Sequence, residues 1–350
     1  MPTRDIADAL VDAYFRTGES IYRILHVPSF KEEYKQYWAN PASVDISFLL
    51  KMLLAMSNGA IFYRGPDAAH IIAQAKKWVF AGQHWLSQAP SEKSRLTLSG
   101  LQVHCLLILA RQAHGMVGDL AWISMGSLLR AAQMMGLDRD SSYIPNVKPL
   151  HAELRRRLWF TILELNLHLS LDMGKRAEIR SDDWDTLPSS NLNDEDVENH
   201  SGLAGDFSSE AYTQCTIQRL LHESLGMRLE ACQIMNGIRS EPSYDVVLSL
   251  ASQLTKAAKK ANAIPELTQL QARPIISYQL FYLLMLHSET CMTYTSGGTS
   301  TSFTQSSPPK PLPIPAITSR TKSASTPPAR WQPTPPSTPR TSMAFRTFSS

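Results

Sequence analysis

Between Pro149 and Gly174 the chain runs LHAELRRRLWFTILELNLHLSLDM, and Leu154, Leu158, Ile162, Leu165 and Leu169 follow at spacings of four, four, three and four residues. That period sets them in one stripe along an α-helix, in which each residue advances by about 100°. Trp159, Leu163 and Leu167 widen the stripe. A helix apolar over so much of its circumference needs neighbours on several sides, which predicts a position at the centre of a helical bundle. Gly174 stands where a left-handed residue would stop this helix.

The rest of the chain is punctuated by proline and glycine into segments whose apolar residues recur every three to four positions, with no sustained strand-type alternation. The expected fold class is therefore all-α, a multi-helix bundle. Helices are predicted at roughly 4 to 17, 43 to 62, 67 to 88, 97 to 113, 119 to 136, 150 to 173, 207 to 239, 243 to 263 and 274 to 293. The segment 97 to 113, with Leu98, Leu101, Cys105, Leu106, Ile108 and Leu109, joins the central helix as core. The four cysteines, Cys105, Cys215, Cys232 and Cys291, are scattered singly without a CxxC pair, which fits buried thiols in a reducing compartment. The longest apolar runs, CLLILA and FYLLML, are far shorter than a membrane span, and MPTRDIADALVDAY carries acids where a secretory leader is apolar.

From Tyr294 onward the character changes. Residues 294 to 350 hold 11 of the 22 prolines, six basic residues and no acid. A segment so poor in apolar side chains cannot offset its ordering entropy, so a domain at 1 to 293 followed by a disordered basic tail at 294 to 350 is expected. Removing the tail's six cations from the total of 34 leaves 28 basic against 31 acidic residues. The helical part is thus mildly acidic and carries no electrostatic footprint for phosphate backbones.

Chemistry-bearing patterns are sparse. The sequence has no HExxH, GxSxG, P-loop or GxGxxG motif, and His104 beside Cys105 lacks a sequence partner for a triad or ligand set. The acids Asp182, Asp183 and Asp185, followed by Asp194, Glu195 and Asp196, could hold a divalent cation in the manner of a helical terpene cyclase. Pro188 and the flanking SSNLN instead favour a solvated, helix-capping loop. Arg155, Arg156 and Arg157 point about 100° apart on a helix and cannot form one flat basic face. They are expected to pair with carboxylates, at least one of them with an acid of the 182 to 185 loop or with Glu164.

The stretch Ala152-Glu153-Leu154-Arg155-Arg156-Arg157-Leu158-Trp159, running through ILELNLHLSLDMGK to IRSDDWDTLPSSNLNDED, resembles the middle homology region of fungal zinc binuclear cluster transcription factors. RILHVPSFKEEYKQYW (23 to 38), LQVHCLLILARQ (101 to 112) and GDLAWISMGSLLRAAQMMGLDRD (118 to 140) resemble further blocks of that family in the same order. The resemblance covers roughly residues 8 to 290. Within it Arg155, Arg156, Arg157, Leu158, Trp159, Glu164, Gly174, Asp183, Pro188, Asn193 and Asp194 match the family's motif as structural residues.

The resemblance implies a nuclear, non-enzymatic regulator of transcription, plausible targets being the genes of a specialised-metabolite biosynthetic cluster. Its expected partners are other transcription regulators or a second copy of itself, with no membrane involved. The family's DNA-binding part is a six-cysteine module around two zinc ions, and no such pattern stands in this sequence. No cofactor is therefore expected, zinc entering only through an upstream module, and DNA would be reached indirectly or through that module. The opening at Met1 close to the first family block, and the acid-free tail, suggest a truncated regulator with a C-terminus from an altered reading frame. A protein-interaction or dimerisation module that modulates a full-length regulator is the alternative, and a magnesium-dependent helical enzyme a third.

Overall fold

A computed structural model describes residues 1–88, 96–116, 119–197, 211–238 and 242–264. Every regular element among these residues is helical. The predicted helix at 274 to 293, Cys291, the domain boundary at 293 and the tail from 294 lie outside them.

Helix α1 (Arg4–Tyr14) buries Ala7, Leu10, Val11 and Tyr14, one face of a 3.6-residue period. It does not stop near residue 17 as the periodicity suggests. A π turn (Phe15–Glu19) and a single turn, α2 (Ser20–Tyr22), extend it until Arg23 takes a left-handed φ of 50°. Helix α3 (Val27–Ala39), which the apolar pattern does not reveal, starts with a proline in its first turn. There the missing N–H leaves no hydrogen bond unmade.

Helix α4 (Ile46–Ala60) is capped by Asp45, whose carboxylate accepts from Ser47 N at 3.0 Å. It packs against α1, α5 (Ala68–Ser87) and α6 (Leu98–Ala113). At its closest approach to α1 only a glycine fits, because a Cβ on Gly59 would stand 1.9 Å from the Leu10 carbonyl oxygen. Helix α6 is buried around most of its circumference, as its sequence predicts, with Cys105, Leu106 and Ile108 all at 0% exposure. It joins α4 on one side to α7 (Asp119–Met134) and α8 (Pro149–Asp172) on the other.

Helix α8 is the second hub and packs against α6, α7 and α10 (Thr216–Met235). Leu158, Ile162, Leu165 and Leu169 of the predicted stripe are buried, and so are Trp159, Leu163 and Leu167. Each such apolar side chain contributes about 1.5–3 kcal/mol relative to exposure. The helix stops as predicted: Gly174 has φ +59°, its N–H donates to Leu171 O, and Lys175 N donates to Ser170 O. These paired bonds satisfy carbonyls that the helix end would otherwise leave open.

The short turn α9 (Asp194–Val197) precedes α10, and α11 (Tyr244–Asn262) lies on α10. Helix α10 begins nine residues later than the predicted 207. Within the described part of that stretch, Thr213 N donates to Thr216 Oγ1 and Cys215 N to Thr213 Oγ1, a local turn that replaces helical bonding.

Candidate functional site

The three arginines of α8 each hold a different piece of chain. Arg155 Nη2 donates to the carbonyls of Met135 and Gly136 at 3.0 and 2.6 Å. Those carbonyls close the C-terminal end of α7, where the helix dipole favours a cation. Arg156 grips Asp140 with both arms of its fork, Nε to Oδ2 and Nη2 to Oδ1, each at 2.8 Å. Arg157, fully buried, donates from Nε to Glu153 Oε1 at 2.9 Å and from Nη1 to Asp194 Oδ1 at 2.5 Å.

The expected partners were the acids of the 182 to 185 loop and Glu164, and none of the three arginines uses them. Asp182, Asp183 and Asp185 are exposed, and Asp183 caps its own turn by accepting from Arg180 N at 2.7 Å. Asp185 accepts from Asp140 N at 2.9 Å and pairs with Arg139 at 3.0 Å, so it steadies the segment bearing Asp140 without reaching Arg156. Glu164 lies two turns beyond Arg157 and faces α10, where both its oxygens accept from Arg228, one of them at 2.8 Å.

Asp194 is the node. Its Oδ1 also accepts from Arg23 Nη2, and its Oδ2 accepts from Val27 N at 2.8 Å. Its main chain is held as well: Asp194 N donates to Gln214 Oε1 at 3.0 Å, and Gln214 N donates to Asn193 Oδ1 at 3.2 Å. The His26 ring spans Ser29 Oγ at 2.7 Å and the Asp194 carbonyl at 3.1 Å, contacts that the neutral Nε2–H tautomer satisfies together. The carboxylate of Asp194 thus ties the junction after α2, the start of α3 and α8, and its main-chain N–H adds the segment leading into α10. Glu195 and Asp196 are exposed, but the segment that leads to Asp194 is not the solvated loop its composition suggests. Ser189, Ser190, Asn191 and Asp194 are buried, with Pro188 half-buried at the entrance, and Ser190 N donates to both oxygens of Glu153.

Next to Asp194 lies Glu19, at 1% exposure. Its Oε2 accepts from Tyr14 OH at 2.7 Å and its Oε1 from Leu25 N at 2.8 Å. The π turn allows this, with Gly18 in contact with the Tyr14 ring where a Cβ would come within 2.7 Å of it.

Burial works to raise each of these carboxyl groups, and their partners decide the outcome. For Asp194, Arg23 and Arg157 outweigh burial and hold it below the usual carboxylate range. For Asp140, Arg156 and the N–H groups of Ser142 and Leu187 do the same. For Glu19 burial prevails and lifts the group from 4.5 to about 7. His104, packed against Ser124 at 2.8 Å, is pushed down to about 4 by burial and by Arg111. Burial also raises the thiols of Cys105, Cys215 and Cys232, which are free and buried.

Among the described residues no group of three or more His, Cys, Asp or Glu side chains is placed to hold a metal ion. No helix among them is long and apolar enough to cross a membrane.

The model of the fungal specific transcription factor domain matches residues 11–285. The chain belongs to that family. It is 40% identical over 278 residues to transcription factor opdR of Penicillium oxalicum, covering 79% of this chain and 35% of that protein. It is 38% identical over 269 residues to transcription factor asR3 of Sarocladium schorii, covering 76% and 31%. The aspyridones cluster regulator apdR of Emericella nidulans is 33% identical over 229 residues, covering 63% and 30%. All three are named as transcription factors or regulators and none as an enzyme. The chain spans about a third of the length of these curated relatives. No solved structure matches.

Of the motif residues, Arg156, Arg157 and Asp194 belong to buried ion pairs of this domain, and Glu164 to another with Arg228. Arg155 and Asn193 bond main-chain groups, Leu158 and Trp159 are core, and Gly174 ends α8. Asp183 and Pro188 stay outside the ion pairs. The residues that sequence reasoning missed are Glu19, Arg23, Asp140, Glu153, Gln214 and Arg228. Glu153 carried a local signal, its i,i+4 spacing to Arg157 on α8; the other five sit in ordinary polar positions that no local spacing marks.

Proposed function

We propose that this chain is the regulatory region of a fungal transcription regulator that acts in the nucleus on the genes of a specialised-metabolite biosynthetic cluster. The observation that carries the reading is the family match over residues 11–285, joined to relatives named as transcription factors and, in one case, as a cluster regulator. The ion pairs around Asp194 support a structural role for the motif. Their side chains are buried and each pairs with another residue of the same chain, so they fasten the region without presenting it to a substrate.

In this reading the region works through protein contacts, with another transcription regulator or a second copy as partner, and DNA is reached through a separate zinc-binding module. The test is to tether the chain to an unrelated DNA-binding domain upstream of a reporter gene in a fungal host. A several-fold change in reporter output is expected, abolished by Asp194→Asn. An unaltered reporter, together with no co-purification of a second copy or of a zinc cluster regulator, would overturn the proposal.

A further inference from the structure

Among the described residues, the buried cluster around Asp194 holds one carboxyl more than its cations balance. Arg23 and Arg157 supply two positive charges, and Asp194 and Glu153 supply two negative ones. Glu19 is the third carboxyl, buried beside them on the turn that leads into Arg23. Among the described residues the groups facing it are Tyr14 from α1, the Leu25 N–H, Arg23 after α2, Asp194 from α9 and the Cys105 thiol from α6, with Arg157 and Glu153 of α8 behind Asp194. Burial keeps that thiol neutral, so it adds no charge. His26 adjoins the same node through the Asp194 carbonyl. An unbalanced charge in a buried cluster is costly, and the least disruptive relief is a proton on the surplus carboxyl.

We propose that Glu19 is a proton-binding site that sets how firmly the N-terminal turn is fastened to α8 and α9. With Glu19 neutral, two guanidinium groups face two carboxylates. With Glu19 ionised, a third negative charge competes with Asp194 for Arg23, and the fastening of Arg23, Leu25 and Val27 weakens. The proposal rests on the reading of Asp194 as the node of the fold, and it makes that node responsive to pH in the neutral range.

The sign follows from linkage. A carboxyl that titrates at about 7 when folded and 4.5 when unfolded stabilises the fold fully below 4.5, and this contribution is lost as pH rises through 7. Between pH 5 and pH 8 the folding equilibrium constant should fall about 70-fold through this group alone. The experiment is urea unfolding of the full chain and of Glu19→Gln across pH 5 to 8. The difference between the two profiles isolates Glu19, because every other group is common to both. Coincident profiles would overturn the proposal.

If Glu19→Gln does not fold, Tyr14→Phe serves. It keeps Glu19 but removes the hydroxyl donor that favours the ionised form, so the pH at which stability changes should move upward. An unmoved profile would overturn the proposal, since a purely structural role for Tyr14 changes overall stability and not the titration. If the pH effect is missing while Asp194→Asn still lowers the folding constant more than tenfold, the proton site fails and the node stands. If Asp194→Asn is also without effect, both fail.

Discussion

Asp194→Asn keeps the shape of the node and removes its charge. In the native chain this carboxylate takes hydrogen bonds from Arg157, Arg23 and Val27, and its side chain and those of both arginines are at most 3% exposed. The amide can still accept on its single oxygen, but its NH2 group must face a donor; Arg157 keeps Glu153, and Arg23 loses the carboxylate it is paired with. Breaking a buried pair by removing one partner costs about 3–5 kcal/mol, because the stranded charge has no water to turn to. The near-complete burial means that solvent screening gives no reason to discount that figure. A domain with 5–15 kcal/mol of total stability would lose a large share of it. Urea denaturation followed by circular dichroism reads the loss. Hydrogen exchange should show protection falling first around residues 23–27 and 189–194, which the node joins. Asp183→Asn is the contrast, because Asp183 is exposed and caps only its own turn, and about 0.5 kcal/mol or less is expected. Loss of less than about 1 kcal/mol in Asp194→Asn, or equal losses in the two variants, would refute the argument.

Leu158, at 1% exposure on the central helix, should not tolerate Asp: a buried unpaired charge costs several kcal/mol, and loss of the cooperative thermal transition is expected. Retention of the wild-type melting curve would show the helix to be misplaced. Arg228→Met alone should cost about 3–5 kcal/mol by stranding Glu164, whereas Arg228→Met combined with Glu164→Leu should recover most of it. Denaturation of the single and double variants decides this, and a double variant no more stable than the single would count against it. Asp140 and Asp194 are held below the usual carboxylate range, so their contribution is present above about pH 4 and lost as pH falls below it. Acid titration by tryptophan fluorescence should show unfolding there, and the onset should move to higher pH in Arg156→Gln.

The parts of the fold legible in the sequence are those encoded by spacing. The stripe from Leu158 to Leu169, the encirclement of Cys105 and the turn at Gly174 follow from a helical period and from one backbone angle, both local quantities. Helix α3 escaped because Phe30 and Tyr37, its buried residues, stand seven apart with charged residues between them, and because Pro28 looks like a break while serving as a start. Apart from the i,i+4 pair of Glu153 with Arg157, the ion pairs were legible only as a need. Three arginines on a largely apolar helix must find counter-charges, but which ones depends on long loops closing. Arg157 meets Asp194 across 37 residues and Arg23 meets it across 171. Glu164 illustrates the same limit, since its proximity along α8 made it a natural partner, yet its azimuth on the helix turns it toward α10 and Arg228.

The three adjacent arginines of α8 have a mechanical consequence. Because each bonds a different neighbour, the tripeptide fixes the rotational phase of the helix as a key fixes a shaft. Removing one residue just before Arg155 would turn the following helix by about 100° and present each guanidinium to its neighbour's slot. Inserting seven residues would nearly restore the phase, with an error of about 20°, while displacing it along the axis. Sequence drift in this segment is therefore open to substitution at its less buried positions, such as His151 and His168, and closed to changes in length.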